Sequence, residues 1–224
     1  MDFLNQILHY PLDELPFVFI ALVIAFSVHE FAHAYSAYLF GDPTAKDEGR
    51  VTLNPRKHLD VFGTILIFIV GFGWAKPVPV NRGNFKYPRV MGIIVSALGP
   101  ISNFILGVIA LVIIVLLEVN GFDQHASGVN EAIMVFLNHF LTLNIVLTVF
   151  NLLPLPPLDG FRIVEDLMPQ KLRIRMQSYT QWGVFIFLLI VFIEPLRKIT
   201  LDPLFTAAYH ITVQIYLILH SIAA

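Results

Sequence analysis

The chain has 224 residues, of which 57% are apolar and only 13% carry a full charge, and its mean hydropathy is +0.75. A soluble domain carries roughly 25% charged residues, so this composition cannot coat a water-facing surface and places the chain in a lipid bilayer. A net charge of -2 with no dense Lys/Arg cluster excludes nucleic acid as a partner, and the absence of cysteine leaves only His, Asp and Glu to hold a metal.

In chain order, the residues before the first apolar run include Asp2, Asp13 and Glu14 and no basic n-region, which is not the pattern of a cleavable signal. Residues 16–40 are then apolar except for Ser27, His29, Glu30, His33 and Ser36, and Gly41 with Pro43 forms a helix stop. Residues 61–75 are also apolar but too few for an untilted span, and their glycines suit a re-entrant or interfacial segment. Residues 90–117 hold no charge, 132–153 run into prolines, 178–193 form a short apolar stretch, and 203–224 carry no charge. The expected fold is therefore an all-α polytopic membrane protein of about five transmembrane helices plus one short re-entrant segment. Short extended strands are expected at Arg50-Val51-Thr52-Leu53 and over the alternating prolines of 76–81. No linker or repeat divides the chain, so 1–224 reads as a single membrane domain, with a core at 16–160 and accessory helices at 176–224.

Charge orients these spans. The stretch 76–89 carries Lys76, Arg82, Lys86 and Arg89 with no acidic residue, whereas 118–131 carries Glu118, Asp123 and Glu131 with no basic one. The positive-inside rule places the first stretch in the cytoplasm and the second outside. The later basic stretch with Arg162, Lys171, Arg173 and Arg175 then falls inside, provided that 61–75 returns to its own side.

Within the first span lies His29-Glu30-Phe31-Ala32-His33, an H-E-x-x-H pattern. On a helix the two histidines stack on one face and reach one ion. Glu30 lies about 100° round from His29 and about 60° from His33, placed to act on water beside the ion rather than as a ligand. A catalytic zinc needs three protein ligands and one open position. An ionised Glu at a helix centre costs about 2.5–3.5 kcal/mol on insertion scales, so it persists there with a partner or a wet cavity. Polar bonding between helices is the alternative use of these three residues. Asp159, in Pro154-Leu155-Pro156-Pro157-Leu158-Asp159-Gly160, offers a further ligand: the prolines end the preceding helix and hold the backbone extended. Taken alone, Leu158-Asp159-Gly160 reads equally as a turn at the membrane surface.

Together, H-E-x-x-H in a membrane helix, Gly99-Pro100-Ile101-Ser102-Asn103 in a later one, and the N-x-x-P-x-P-x-L-D-G pattern ending at Gly160 resemble the site-2 protease family of intramembrane zinc metalloproteases. The resemblance runs from His29 to Gly160. It implies one zinc ion held by His29, His33 and Asp159, Glu30 as catalytic carboxylate, and a site towards the cytoplasmic side of a multi-pass protein, read here as one of a prokaryotic plasma membrane. It implies a transmembrane helix of another membrane protein as substrate. Asn103 and Asn151 would contact the substrate or its oxyanion, orient Asp159, or simply join helices. His139 reads as ordinary packing beside Phe136, Phe140 and Leu143, and His58 as interfacial; neither these nor His9, His125, His210 and His220 are expected on a metal. The competing classes are a catalytically silent scaffold or chaperone of the same fold, a di-iron oxidase, which needs more histidine boxes than are present, and a transporter, which the lack of repeats disfavours.

Overall fold

The computed structural model of the protein describes residues 10–70, 73–122 and 128–223. Its helices are α1 (Leu15–Leu39), α2 (Thr44–Asp47), α3 (Val61–Val70), α4 (Pro88–Val119), α5 (Gly128–Asn151), α6 (Asp159–Leu167), α7 (Gln170–Ser178), α8 (Thr180–Phe192) and α9 (Glu194–Ala223). Among the described residues three helices, α1, α4 and α5, are long and apolar enough to cross a membrane. The stretch expected as a span at 178–193 appears as α8, only 13 residues long. The last expected span is part of a 30-residue α9 that continues through Pro203 rather than starting there.

Helix α4 is the centre of the bundle and packs on α1, α5 and α6. Its buried positions include Gly92, Ser96, Gly99, Asn103, Gly107 and Ala110, a stripe of small residues at three- and four-residue spacing. Lipid tails are as apolar as leucine, so helices associate in a bilayer by close backbone approach and by polar contacts, and such a stripe permits both. The opposite face of α4 leaves Phe104, Ile105 and Ile109 exposed, as a lipid-facing surface requires. Val18, Ala21, Leu22 and Phe26 of α1 form one core with Ile67, Ala110, Phe140 and Leu143. Leu158, Phe187, Val191 and Leu201 form a second that fastens α8 and α9 beside the proline turn.

The apolar run 61–75 begins and ends at one place. Leu59 and Ala75 form an antiparallel bridge, and the Lys76 N–H donates to the His58 carbonyl at 2.7 Å. A methyl group added at Gly63 would overlap the Trp74 carbonyl, and one at Gly73 would overlap Gly63, so glycine alone lets the two limbs approach this closely. That bridge is the single β pairing among the described residues. The expected strand at 50–53 is instead a bend, in which the Thr52 N–H turns back to the Arg50 carbonyl at 2.9 Å. Pro77 and Pro79 have no N–H to contribute to a ladder at 76–81.

The loop 76–84 is instead fastened by side chains. The Arg50 Nη2 donates to the Lys76 carbonyl at 2.6 Å at one end. At the other, Asp42 is fully buried and accepts from the N–H and hydroxyl of Thr44, the Asn81 N–H and the Asn84 Nδ2. Burial alone would raise the Asp42 pKa, but these four hydrogen bonds outweigh it and hold the carboxyl below its usual range. A group depressed in the folded state stabilises fully above its unfolded pKa of about 3.9 and loses that contribution as pH falls through the lower folded value. Asp42→Asn is therefore expected to melt lower than the parent at pH 7 in detergent, with the gap narrowing below about pH 4 in thermal unfolding scans.

Candidate metal centre

His29 and His33 sit one turn apart on the buried face of α1, and both rings point at the first residue of α6, Asp159. The two Nε2 atoms are 3.0 Å apart, and each lies 3.1 Å from Asp159 Oδ2. All three residues are buried. His33 Nδ1 lies 2.7 Å from the Val95 carbonyl, which can only accept, so Nδ1 carries a proton and the neutral ring presents its lone pair at Nε2. His29 Nδ1 lies 2.6 Å from Asn103 Oδ1. The Asn103 Nδ2 faces the Ala25 carbonyl at 3.2 Å and Asn144 Oδ1 at 2.9 Å, which fixes its oxygen towards His29 and the His29 proton on Nδ1. With both rings neutral, two imidazole lone pairs and a carboxylate oxygen therefore converge on one point. In that state the 3.0 Å contact sets two lone pairs against each other, which a cation between them relieves.

The donor set fits zinc. Ligands at about 2.0 Å on a tetrahedral ion stand roughly 3.3 Å apart, close to the separations present here, and three protein donors leave one position open. Among the described residues this is the single group of three His or carboxylate side chains able to share an ion.

Local structure explains how the donors meet. A methyl at Gly99 would overlap the rings of both histidines, so the glycine of the Gly-Pro pair lets α4 pass directly over the site. Gly160 meets the Leu152 and Leu153 carbonyls at the end of α5 with no room for a side chain, which brings the start of α6, and Asp159 with it, beneath α1. Leu158 is extended and its N–H returns to the Leu155 carbonyl at 3.0 Å, closing the proline turn that delivers the carboxylate.

Glu30 is buried beside the centre and its Oε2 accepts the Val78 N–H at 2.9 Å, so the proline-flanked loop is docked onto this carboxylate. A cleft of about 750 Å³ opens from the site between the loop and α6, lined by Lys76, Arg82, Arg162 and Glu165 as well as by the centre itself. A second, mainly apolar cavity of about 320 Å³ reaches His29 and Glu30 from between α1, α5 and α8. Arg82 clamps the loop to α6 through Asp166 at 3.0 Å and Glu165 at 3.3 Å, and burial raises the Asp166 pKa despite the Arg82 and Arg173 guanidinium groups beside it.

The two asparagines part company. Asn103 is fully enclosed and both its amide hydrogens are committed, so it supports His29 and presents nothing to the cleft. Asn151 lines both cavities and makes one hydrogen bond, to the Leu147 carbonyl at 3.0 Å. His139, expected as plain packing, pairs with Glu14 at 2.7 Å and meets Tyr10 edge-on, because an imidazole facing the apolar interior requires a polar partner. His58 is fully buried within the protein, and its Nε2 lies 2.7 Å from the Thr52 carbonyl. His9 and His125 lie outside the described residues. Asn144, the Val95 carbonyl and the Val78 N–H escaped the sequence reading, since no local spacing marks a group that acts through another helix.

The model of peptidase family M50 matches residues 17–138 and 122–193. A protein of Bacillus subtilis strain 168, provisionally named zinc metalloprotease YwhC, is 48% identical over 91% of this chain and 92% of its own length. Proteins provisionally named zinc metalloprotease Rip2 are 28% identical in Mycolicibacterium smegmatis and 30% identical in Mycobacterium tuberculosis strain H37Rv, each over 77% of this chain and 65% of their own length. No solved structure matches the chain. A membrane-embedded metalloendopeptidase of the site-2 protease type, with zinc as its cofactor, is the class that fold, site and matches define. The chain belongs to peptidase family M50.

Gly99→Ala is expected to push the histidine rings apart and weaken metal binding at least about tenfold. Gly107→Ala, whose methyl would meet the end of the Ile145 side chain, serves as the control that leaves binding unchanged. Metal retained after dialysis against graded chelator checks both.

Proposed function

We propose that this chain cleaves peptide bonds within or beside transmembrane segments of other membrane proteins, with His29, His33 and Asp159 as zinc ligands and Glu30 as general base. The observation that carries the reading is the convergence of two imidazole nitrogens and a carboxylate oxygen beside Glu30, where a polar cleft and an apolar cavity meet. Zinc, when bound, supplies the Lewis acid that acidifies water and polarises the scissile carbonyl. The Glu30 carboxylate takes the proton of the attacking water and passes it to the leaving amine. Asn151, at the junction of the two cavities, offers its amide to the substrate backbone. Water arrives through the cleft, while the apolar cavity admits the transmembrane segment from the lipid side. The segment must unwind before its carbonyl reaches the ion, and 76–81 is the extended surface that receives it by backbone pairing.

In this reading α8 and α9 complete about five membrane crossings, the run at 61–75 is re-entrant, and 1–224 acts as one membrane domain with its core at 16–160. Val95 and Gly99 lie seven and eleven residues along α4 from Pro88, about 10–17 Å below the helix start, within a hydrocarbon core about 30 Å thick. The α4 start carries the basic stretch, so the site faces the cytoplasm in a prokaryotic plasma membrane.

Protein purified in detergent is expected to hold zinc near one per chain and to cleave transmembrane peptides. Glu30→Gln should lower cleavage by about 10²–10⁴-fold with zinc retained, and Asp159→Ala should lose both zinc and cleavage. Cleavage that survives Glu30→Gln, or full zinc occupancy in Asp159→Ala, overturns the assignment. The cysteine-free chain also allows single-cysteine topology mapping: Lys86→Cys should be labelled from the cytoplasm, and Glu131→Cys from the outside.

A further inference from the structure

We infer that Asn144, in α5, is a positioning residue for the metal centre: it holds His29 in the tautomer that can ligate zinc, acting through Asn103 across three helices. The inference rests on the zinc reading above. His29 differs from its partner in how its proton is placed. His33 Nδ1 donates straight to a backbone carbonyl, which cannot reverse its role. His29 Nδ1 donates to a side-chain amide, and an amide turned by 180° would present a donor instead. With Asn103 reversed, its Nδ2 would face His29, the imidazole proton would move to Nε2, and the lone pair aimed at the ion would be lost.

Two contacts oppose that reversal. The Asn103 Nδ2 donates to the Ala25 carbonyl and to Asn144 Oδ1, so turning the amide would set its oxygen against two acceptors. Asn144 is itself directional only because its own Nδ2 donates to the Phe140 carbonyl at 2.8 Å. Each donation in the series runs away from the centre, from His29 to Asn103 to Asn144 to Phe140, and it ends on a carbonyl of α5 that can only accept. Asn103 and Asn144 are both fully buried, so no solvent competes for these bonds. Support of this kind for a metal-ligating histidine is typically worth 10–100-fold in metal affinity.

The test replaces Asn144 by Leu and by Asp in the full-length protein in detergent, and measures zinc affinity by chelator competition and melting of the metal-stripped form. Asn144→Leu keeps the volume but removes the acceptor, and is expected to weaken zinc binding 10–100-fold. Asn144→Asp, buried and neutral, keeps a carbonyl for Asn103 and a hydroxyl for Phe140, and is expected to bind zinc within about threefold of the parent. Zinc affinity unchanged in Asn144→Leu overturns the inference. So does an equal loss in both variants, which would show a packing effect; matched melting of the metal-stripped forms supports the directed relay. Absence of zinc from the parent protein itself overturns both this inference and the reading on which it rests.

Discussion

The structure turns on one convergence: two imidazole nitrogens and a carboxylate oxygen face one another across 3.0–3.1 Å in a chain that keeps charge scarce. With no proton or cation to share, such an arrangement is unfavourable in water and worse in a medium of low dielectric. The surrounding fold consists largely of devices that impose it. Gly99 lets α4 cross over the rings, Gly160 lets α6 start against the end of α5, and the Val95 carbonyl and the Asn103 amide fix where each imidazole proton lies. The spacing of the donors suits a small cation.

In the function proposed above, water and a membrane helix would make opposite demands on one site, and two cavities of different character meet there. The larger cleft has charged residues at its mouth and opens beside the loops. The smaller is lined by groups such as Phe26, Trp74, Phe150 and Phe187 and reaches the same two residues, His29 and Glu30, from the other side. The proline turn at 154–157 separates them, and Gly183 of α8 packs so closely on Pro156 that the second cavity depends on where α8 sits. Helix α8 thus rests directly on the turn that carries Asp159.

Much of this was legible in the residues. H-E-x-x-H announces itself because helical spacing alone brings His29 and His33 together, and the proline run explains why Asp159 stands at a helix start. The return of 61–75 to its origin follows from its length and glycines, and the Leu59 to Ala75 bridge agrees. The strand pattern at 50–53 misled, because Arg50 spends its side chain on the Lys76 carbonyl and the backbone bends around it. Asn103 carries the right chemistry but a different duty, and Asn144 was invisible: their partners lie 74 and 41 positions away in sequence, and only packing of α1, α4 and α5 reveals them. His139 was misjudged for the same reason, since Glu14 is 125 positions distant.

The alternating prolines beside Glu30 have one more effect. Along an extended backbone, Pro77 and Pro79 share an edge that holds carbonyls but no N–H, whereas the opposite edge is engaged through Lys76 and Val78. Two copies of this segment laid edge to edge would each lack what the other needs, so it cannot template its own stacking. A chain able to bind there must bring its own N–H groups, as an unwound helix does. The loop is sticky in one direction only, a form of protection against self-association in a crowded membrane.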